Sequence, residues 1–361
     1  MKIVFIIGSI SDSHIIKRVK TFADAGYSVD VYGFQRGVNT ANQFEGIPLT
    51  IIGQMEDQHY HARLKKEWNT VSDVIRSQPK GTLFYVWGFD LALICKIHKC
   101  TYIYEISDMV HSKLRWPLNK VLRGIDKRLI AGSEATLITS EGFIEYLGYA
   151  NGENSKFILM PNKLSESFDD IERPNSVISN NKVRFGFVGY YRYPNTVMRL
   201  ARVIGESYPN MEFHFWGTGP DSMMGIVNDL VKKHKNIIEH GRFKNPDDLD
   251  RVYSSFDIVA CNYDATGPNE RIAEPNKLYE ALFYNKPILV SRNTFLGTKV
   301  ERMGVGYVID TSNDENIKEF LGNLNYDELK QKAEIEKQIP SRELIEDYSE
   351  VWKLFKNGER N

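Results

Sequence analysis

EPNKLYEALFYNKPILVSR, residues 274–292, predicts a short helix that leads at once into a core strand. Pro275 suits the first turn of a helix, where its missing N–H costs no hydrogen bond. Apolar residues recur at helical spacing and give this helix a buried face: Leu278, Leu282 and Phe283. Asn285 suits a left-handed C-cap, and the apolar run 287–291 then predicts a buried strand.

The N-terminus of this predicted helix is a candidate anion site. The unpaired N–H groups of Asn276, Lys277 and Leu278, reinforced by the helix dipole, can bind a diphosphate. Glu280 lies about one and a half turns inside the helix, where its carboxylate can accept hydrogen bonds from the two hydroxyls of a ribose. An ordinary helix with an exposed glutamate would have the same periodicity, so the pattern alone leaves both readings open.

Length and composition favour a two-domain globular protein. At 361 residues the chain exceeds a comfortable single core. A hydrophobic fraction of 42% with 26% charged residues is typical of soluble globular proteins. The formal net charge of −1 gives no global case for nucleic-acid binding.

Cysteine usage and hydropathy predict a cytoplasmic protein. Cys95, Cys100 and Cys261 form neither a zinc spacing nor an even disulfide set, so we expect reduced thiols. The apolar run after Met1 is too short for a signal peptide, and no run elsewhere approaches the length of a membrane span. Membrane contact is therefore expected only from the surface.

The same arrangement opens each half of the chain. An apolar strand at 3–7 runs into a turn at Gly8 and then a helix, and a second strand at 183–188 runs into Gly189 and another helix. Such a strand, turn and helix is typical of a buried parallel sheet. Two copies, one opening each half, predict two Rossmann-like domains.

The domain bounds follow from a change in composition. Residues 165–181 are acidic and rich in Ser, Asn and Pro, with little apolar periodicity, so we place the linker there. We predict an N-terminal domain at 1–168 and a C-terminal domain at 182–338. The closing segment, 339–361, carries apolar residues at helical spacing.

Predicted strands alternate with predicted helices along both halves of the chain. Their bounds are 3–7, 29–32, 83–87, 102–106, 135–139, 157–160, 183–188, 213–216, 237–240, 258–262, 287–291 and 305–310. This alternation is the pattern of an α/β protein with parallel sheets.

Ligands of open parallel sheets bind beyond the carboxyl ends of the strands, which identifies candidate residues in the first half. Gly8 and Ser9 follow the first strand and are candidates to contact an acceptor. An ordinary turn from strand to helix, with no role in binding, would have the same sequence pattern. Asp108 and His111 follow a later strand and are candidate catalytic residues. For each of these two, a helix cap or a surface role is the alternative.

The residues PNKLYEAL at 275–282, followed by NKPI at 285–288, look like the donor-binding helix of family 4 glycosyltransferases. These are retaining enzymes of the GT-B fold, in which two Rossmann-like parallel-sheet domains face each other across a cleft. The resemblance implies a nucleoside-diphosphate sugar as co-substrate, no cofactor and no metal. It also implies that 339–361 crosses back onto the first domain, although an amphipathic helix on the second domain would have the same pattern.

The resemblance assigns roles to carboxylates near this helix. In the family, two glutamates are usually separated by seven residues, the second holding the donor ribose and the first reaching the transferred sugar. Glu280 matches the second, whereas Ile272 stands at the position of the first. Glu274 or Glu270 is expected to take over the contact with the sugar.

Neighbouring loops also resemble those of the family. The match implies that Gly189 and Arg192 serve the diphosphate, and that the loop containing Arg242 and Phe243 holds the base through main-chain groups. The family often carries a lysine a few residues after the arginine that corresponds to Arg192, and this sequence lacks that lysine. We expect Lys277, at the start of the helix, to add positive charge there.

Two further loops of the second half carry residues of the kind that bind ligands. Gly217 and Gly219 follow a strand and allow the backbone to approach a ligand closely. Asp248 and Asp250 fit the Asp-x-Asp pattern that other glycosyltransferases use to hold a metal. Helix capping and first-turn charge explain these aspartates better, so we predict no metal there.

The stretch 113–128, KLRWPLNKVLRGIDKR, mixes basic and apolar residues. Such a mixture suits an interfacial helix on anionic lipid, and a solvated basic face over an ordinary core stripe is the alternative. The resemblance implies a glycan acceptor that is lipid-linked, as in bacterial capsule or lipopolysaccharide assembly. We therefore expect peripheral contact with the inner face of the plasma membrane.

Together these observations predict a retaining glycosyltransferase that moves a sugar onto a hydroxyl of a growing glycan. No residue is a convincing nucleophile, and the family is usually described as letting the leaving phosphate take the acceptor proton. A sugar-nucleotide epimerase of the same architecture is one alternative, for which Asp108 and His111 offer a faint match. A catalytically silent nucleotide-sugar-binding protein is the other.

Overall fold

The computed structural model divides the protein into two compact units, each built on its own parallel sheet. The structure describes residues 1–36, 41–55, 60–149, 156–175 and 182–356. The first unit comprises Met1–Pro161 with Asp347–Asn361, and the second comprises Asn162–Glu346. The prediction of two Rossmann-like parallel-sheet domains is confirmed.

The first unit has a seven-stranded sheet flanked by helices. Its strands are β1 (Lys2–Ile7), β2 (Ser28–Gln35), β3 (Leu49–Gln54), β4 (Leu83–Trp87), β5 (Thr101–Ile106), β6 (Ala135–Ile138) and β7 (Phe157–Leu159). Its first five helices are α1 (Ser13–Asp24), α2 (Tyr60–Ser77), α3 (Phe89–Ile97), α4 (Leu118–Gly132) and α5 (Glu141–Leu147). The strand order is β3-β2-β1-β4-β5-β6-β7, and every pairing is parallel.

The second unit has a six-stranded sheet of the same kind, in the order β10-β9-β8-β11-β12-β13. Its strands are β8 (Val183–Tyr190), β9 (Met211–Thr218), β10 (Ile237–Gly241), β11 (Ile258–Cys261), β12 (Ile288–Ser291) and β13 (Gly306–Ile309). Its helices are α6 (Val197–Ser207), α7 (Asp221–Lys233), α8 (Leu249–Ser254), α9 (Pro268–Ile272), α10 (Asn276–Phe283), α11 (Phe295–Met303), α12 (Asp314–Gly322), α13 (Tyr326–Gln338) and α14 (Ser341–Leu344).

The predicted strands are present, and β3 is the one that the sequence analysis missed. This strand lies at the edge of its sheet beside β2, and none of its residues is buried. Ile51, in its centre, is 42% exposed. The strand is only partly covered, and Thr50 and Gly53 interrupt its apolar residues, so its sequence lacks the continuous apolar run of the buried strands.

The closing segment is not one continuous helix, as its apolar spacing suggested. It forms α14 and then, after a break, α15 (Ser349–Lys356). In the break, Ile345 lies extended and bridges to Leu164 of the second unit. Helix α15 instead packs in the first unit, with the Trp352 ring 5.0 Å from that of Phe22. Residues 162–168 and 339–346 thus belong to the second unit, which differs from the predicted bounds.

A buried ion pair between Arg18 and Glu105 lies in the core of the first unit and contacts Tyr348, the residue just before α15. Arg18 of α1 donates to both carboxylate oxygens of Glu105 in β5, at 3.1 and 2.8 Å. Its third nitrogen donates to the hydroxyl of Tyr348 at 2.5 Å, and Tyr85 donates to Glu105. Burial would raise the pKa of Glu105, but the charges of Arg18 and His14 outweigh it and lower that pKa to about 2.

In the second unit, Arg173, which lies within the predicted linker 165–181, forms hydrogen bonds to the C-terminal ends of α10 and α13. Its guanidinium donates to five carbonyls, those of Leu282 at 2.5 Å, Phe283 at 3.2 Å, Glu336 at 2.9 Å, Lys337 at 3.5 Å and Ile339 at 2.6 Å. It also donates to Asn285 Oδ1 at 2.7 Å. Asn285 has the left-handed φ of +53° that its position as a cap predicted. Residues 176–181 of the predicted linker lie outside the described residues.

Replacing Arg173 by alanine is expected to lower the free energy of unfolding by about 2–3 kcal/mol. The substitution removes the guanidinium donor from the last carbonyls of α10 and α13, and water replaces this donor only partly at the half-buried position. The urea midpoint measures the loss. Arg302→Ala, which removes an exposed arginine in the same unit, serves as the control. Equal midpoints for the two variants would show that the hydrogen bonds of Arg173 do not stabilise the folded protein.

No helix in the described part of the chain is long and apolar enough to cross a membrane.

Candidate active site

Helix α10 begins one residue later than its sequence suggested. Pro275 is the N-cap, with φ −81° and ψ 153°, and the helix starts at Asn276. The N–H of Leu278 donates to the Pro275 carbonyl at 3.2 Å, so this amide is already used. The amides of Asn276 and Lys277 are therefore the better candidates to bind an anion at this helix end.

Glu280 is nearly fully buried one turn inside α10, where several donors surround its carboxylate. The hydroxyl of Tyr253 donates to Oε2 at 2.5 Å, and the side-chain amide Nδ2 of Asn276 donates to Oε1 at 2.6 Å. Two more donors stand further away, Asn245 Nδ2 at 3.5 Å from Oε1 and Lys277 Nζ at 3.9 Å from Oε2. The alternative of an ordinary exposed glutamate is therefore wrong.

The ammonium of Lys277 lies beside the glycine turn at the end of β8. A Cβ placed on Gly189 would lie 3.4 Å from both Nζ and Cε of Lys277. Gly189 has φ +118°, a conformation that favours glycine. Lys277 Nζ also donates to Asn276 Oδ1 at 3.3 Å. The Lys277 ammonium and the backbone amides at the start of α10 thus lie beside the turn after β8.

Gly217 and Gly219 serve close packing within the second unit. Gly217 has φ +142°, and a Cβ there would lie 1.8 Å from the carbonyl oxygen of Gly189 on the neighbouring strand. A Cβ on Gly219 would lie 2.7 Å from Cβ of Tyr191. Close packing within the protein is thus one reason for glycine at both positions, and the close approach of a ligand to this loop stays a prediction.

The other residues expected to bind the donor lie on loops at the carboxyl edge of the same sheet. Arg192 is exposed, with its guanidinium 5.2 Å from the centre of the Tyr190 ring. Arg242 is also exposed, whereas Phe243 is half-buried and packs on the core beside α10. The two arginines are therefore accessible to an anionic ligand.

The two candidates for the missing first glutamate have different surroundings. Glu274 is buried, pairs with Lys299 Nζ at 2.7 Å and accepts the hydroxyl of Tyr279. Glu270, on α9, is half-buried and forms no hydrogen bond or ion pair with a described residue. Glu274 is thus neutralised by protein partners, and Glu270 is the carboxylate that remains open to a ligand.

Asp248 stands at the N-cap position of α8, as the sequence predicted, but its side chain makes no cap hydrogen bond to the helix backbone. Its carboxylate instead accepts the backbone N–H of Lys244 at 2.8 Å and pairs with Arg251 at 3.4 Å. Asp250 lies in the first turn, as predicted. Asp248 therefore stabilises the preceding turn.

In the first unit, Gly8 and Ser9 lie half-buried in the loop between β1 and α1. The Ser9 hydroxyl accepts the backbone N–H of Ser11 at 3.2 Å. Asp12 caps α1 by accepting the N–H groups of His14 and Ile15 at 3.0 and 3.5 Å. These local bonds order the loop, which agrees with its alternative reading as a turn.

Asp108 and His111 differ sharply in exposure. Asp108 is exposed after β5, whereas His111 is 2% exposed. His111 Nε2 lies 2.9 Å from Asp126 Oδ2, and its Nδ1 lies 3.5 Å from the Tyr146 hydroxyl. With both ring nitrogens engaged inside the protein, His111 has the contacts of a structural residue.

Sequence reasoning missed several residues around these candidates. Tyr253 and Asn245 contact Glu280, although neither residue was expected to take part in donor binding. Lys299, which neutralises Glu274, comes from α11. No local sequence pattern identifies these three residues, because each contacts a glutamate that is far from it along the chain.

The stretch 113–128 presents an exposed basic and apolar surface. Its exposed apolar side chains, with neighbouring Val110, have exposed fractions of 46% (Val110), 39% (Leu114), 77% (Trp116), 59% (Leu118) and 56% (Val121). Exposed cations lie among them at Lys113, Arg115 and Lys120. We call these eight residues the basic apolar surface. Since its apolar members do not face the core, the alternative of a core stripe is wrong for them.

Comparison with known proteins supports the fold assignment. No family model matches the chain. A succinoglycan biosynthesis protein of Rhizobium meliloti, ExoL, is 20% identical over 341 residues, which cover 90% of this chain and 85% of ExoL. The Anabaena protein HepE in complex with UDP-glucose is 13% identical with a TM-score of 0.69, and the match covers 100% of both chains. WaaG, a glycosyltransferase involved in lipopolysaccharide biosynthesis, is 13% identical with a TM-score of 0.67 over 95% of this chain and 97% of WaaG. The chain therefore has the GT-B fold, with two Rossmann-like parallel-sheet domains.

Proposed function

We propose that this protein transfers a sugar from a uridine diphosphate sugar to a hydroxyl of a growing glycan in polysaccharide synthesis. The observation that carries the proposal is the grouping of the Lys277 ammonium, the Gly189 turn and buried Glu280 at the start of α10. The description of HepE with bound UDP-glucose favours uridine as the base. The names of ExoL and WaaG favour a role in polysaccharide synthesis.

In this proposal the second unit binds the donor without a metal. The amides of Asn276 and Lys277, the Lys277 ammonium and the exposed Arg192 would stabilise the diphosphate as it departs. Glu280 would accept hydrogen bonds from the ribose hydroxyls. Main-chain groups beside Arg242 would hold the base.

Transfer would proceed with retention of configuration. The bond between the anomeric carbon and the diphosphate oxygen breaks while the acceptor oxygen approaches from the same face. The leaving diphosphate takes the proton of the acceptor hydroxyl, so no protein base is required. The buried, engaged His111 fits such a mechanism better than it fits the proton abstraction of an epimerase.

Glu270 is our candidate for the carboxylate that orients the donor sugar. It is half-buried and unpaired among the described residues, whereas Glu274 is held by Lys299 and Tyr279. A carboxylate already paired with an ammonium has less capacity to bind a sugar hydroxyl.

The experiment that tests the function uses UDP-sugars with and without a lipid-linked glycan acceptor, with release of UDP and the sugar product as readouts. Transfer that requires the acceptor supports the proposal. Conversion of the donor to an epimer without acceptor would favour the epimerase. Binding of UDP without turnover across a broad acceptor panel would favour a silent nucleotide-sugar-binding protein.

We also propose that the basic apolar surface contacts an anionic membrane, where a lipid-linked acceptor would lie. An exposed tryptophan with neighbouring leucines and valines can insert among lipid headgroups. Each lysine or arginine near an anionic surface adds about 1 kcal/mol of attraction. Lys113, Arg115 and Lys120 supply such charges beside Trp116.

Replacing Trp116 by serine together with Lys113 and Arg115 by glutamate is expected to weaken binding to vesicles of phosphatidylglycerol and phosphatidylcholine by at least about tenfold. Co-sedimentation measures the bound fraction. As a matched control, Lys232→Glu and Lys233→Glu reverse two exposed charges on α7 of the second unit. Equal binding by both variants, or no binding by the native protein, would contradict a membrane role for this surface.

A further inference from the structure

Tyr253 lies beneath Glu280 and is held rigidly by aromatic neighbours. The side chain is fully buried on α8. Its ring stacks on that of Tyr284, with centroids 4.7 Å apart and planes at 10°, and it meets the edge of Phe256 at 5.4 Å. These contacts fix the ring and so hold its hydroxyl oxygen 2.5 Å from Glu280 Oε2, to which the hydroxyl donates.

The contacts of Glu280 divide into two short and two long ones. A carboxylate offers about four lone-pair directions, two on each oxygen. Tyr253 takes one on Oε2 at 2.5 Å, and Asn276 takes one on Oε1 at 2.6 Å. The donors of Asn245 and Lys277 stand at 3.5 and 3.9 Å, too far to use the remaining directions fully.

This arrangement leaves one underused lone-pair direction on each oxygen of a single carboxylate. Two hydroxyls on adjacent carbons are the donors that match such a pair, because both oxygens are presented from one rigid plane. The carboxylate must keep its rotation for this match to hold. The two short hydrogen bonds are what resist that rotation.

We propose that Tyr253 is a positioning residue of the donor site, which with Asn276 orients Glu280 so that its two oxygens bind the vicinal hydroxyls of the donor ribose. This inference rests on the proposed function. Tyr253 acts through Glu280 and does not itself touch the nucleotide. Burial and the charge of Glu280 raise the pKa of the Tyr253 hydroxyl well above its usual range, so it remains a donor at all working pH values.

The stacked pair Tyr253 and Tyr284 supplies a matched set of variants. Tyr253→Phe removes the hydroxyl that contacts Glu280, and Tyr284→Phe removes a hydroxyl from the other ring of the same stack. Isothermal titration of each full-length variant gives the dissociation constants of UDP and of 2′-deoxy-UDP. The Kd for 2′-deoxy-UDP divided by the Kd for UDP measures recognition of the ribose. This ratio does not respond to a general change in folding.

We expect the native ratio of the two dissociation constants to fall about 3- to 10-fold in Tyr253→Phe, the loss of roughly one hydrogen bond. Tyr284→Phe is expected to retain the native ratio. An unchanged ratio in Tyr253→Phe, or equal decreases in both variants, would overturn the inference.

Asn276→Ala provides a second test if Tyr253→Phe does not fold. It removes the other short donor from a half-buried position at the helix start, and we expect it to lower the same ratio. The native ratio in that variant would also overturn the inference. If the native protein bound neither nucleotide, the proposed function would fail together with this inference. If it bound UDP with a normal preference for ribose while the variants kept that preference, only the inference would fail.

Discussion

Replacing Lys277 by methionine is expected to lower kcat/KM for glycosyl transfer by about 100- to 1,000-fold, as removal of one donor to a developing anion does in other enzymes. The Lys277 ammonium lies against the Gly189 turn and is mostly shielded from water. A charge in such a site interacts with a diphosphate more strongly than an exposed charge does. Since negative charge on the diphosphate grows as the sugar departs, most of the loss should be in kcat.

Lys233→Met is the matched control, because it removes the same charge from an exposed position on α7. We expect that variant to stay within about twofold of native activity, as is typical of a distant surface charge. Steady-state kinetics with varied donor concentration separate kcat from KM. A decrease of less than threefold in Lys277→Met would contradict the placement of the diphosphate beside this residue.

The second large effect concerns stability. Arg18→Met is expected to lower the free energy of unfolding at pH 7 by about 3–5 kcal/mol, because it leaves Glu105 charged and buried without its partner. The variant should also destabilise the packing of α15, because Arg18 donates to Tyr348, the residue just before that helix, at 2.5 Å. Arg18→Met combined with Glu105→Gln is expected to recover part of the loss. Urea unfolding followed by circular dichroism measures all three proteins.

The pH dependence of this loss follows from the pKa of Glu105. In the native protein that pKa is lowered to about 2, so the contribution of the ion pair is present above about pH 4.3, the usual value for glutamate, and is lost as the pH falls toward 2. Without Arg18, burial raises the pKa of Glu105, and the carboxyl is protonated more easily. The stability difference between native protein and variant should therefore shrink from pH 7 to pH 5.

Arg76→Met is the control for this prediction. Arg76 pairs with Asp73 at 2.9 Å, but the side chains are 66% and 76% exposed. Such surface pairs contribute about 0–1 kcal/mol. A loss of similar size in Arg18→Met would contradict the role assigned to the buried pair.

The sequence predicted the parts of the fold that depend on local patterns. Buried parallel strands appear as apolar runs because both faces of the sheet are covered, so β1, β4 and β12 were readily found. Asn285 was correctly expected to adopt a left-handed conformation, since the chain must end a helix just before a strand. The exposed edge strand β3 lacks such a pattern and was missed.

What the sequence could not supply is contact between distant segments. Tyr253 reaches Glu280 across 27 positions, and Arg18 reaches Tyr348 across 330. The periodicity of 341–355 could not reveal the break at Ile345, because residues on either side keep helical spacing while packing in different units. Likewise, only packing shows that Gly217 lies against Gly189.

The central claim is that the start of α10 binds a nucleoside diphosphate through Glu280 and its neighbours. Its most direct test is a thermal-shift measurement of the native protein and Glu280→Ala against UDP, GDP, ADP and CMP. We predict that UDP stabilises the native protein, by about 2.7 kcal/mol at 100 times its Kd, and stabilises Glu280→Ala much less. No shift with any nucleotide, or equal shifts in the two proteins, would contradict the claim.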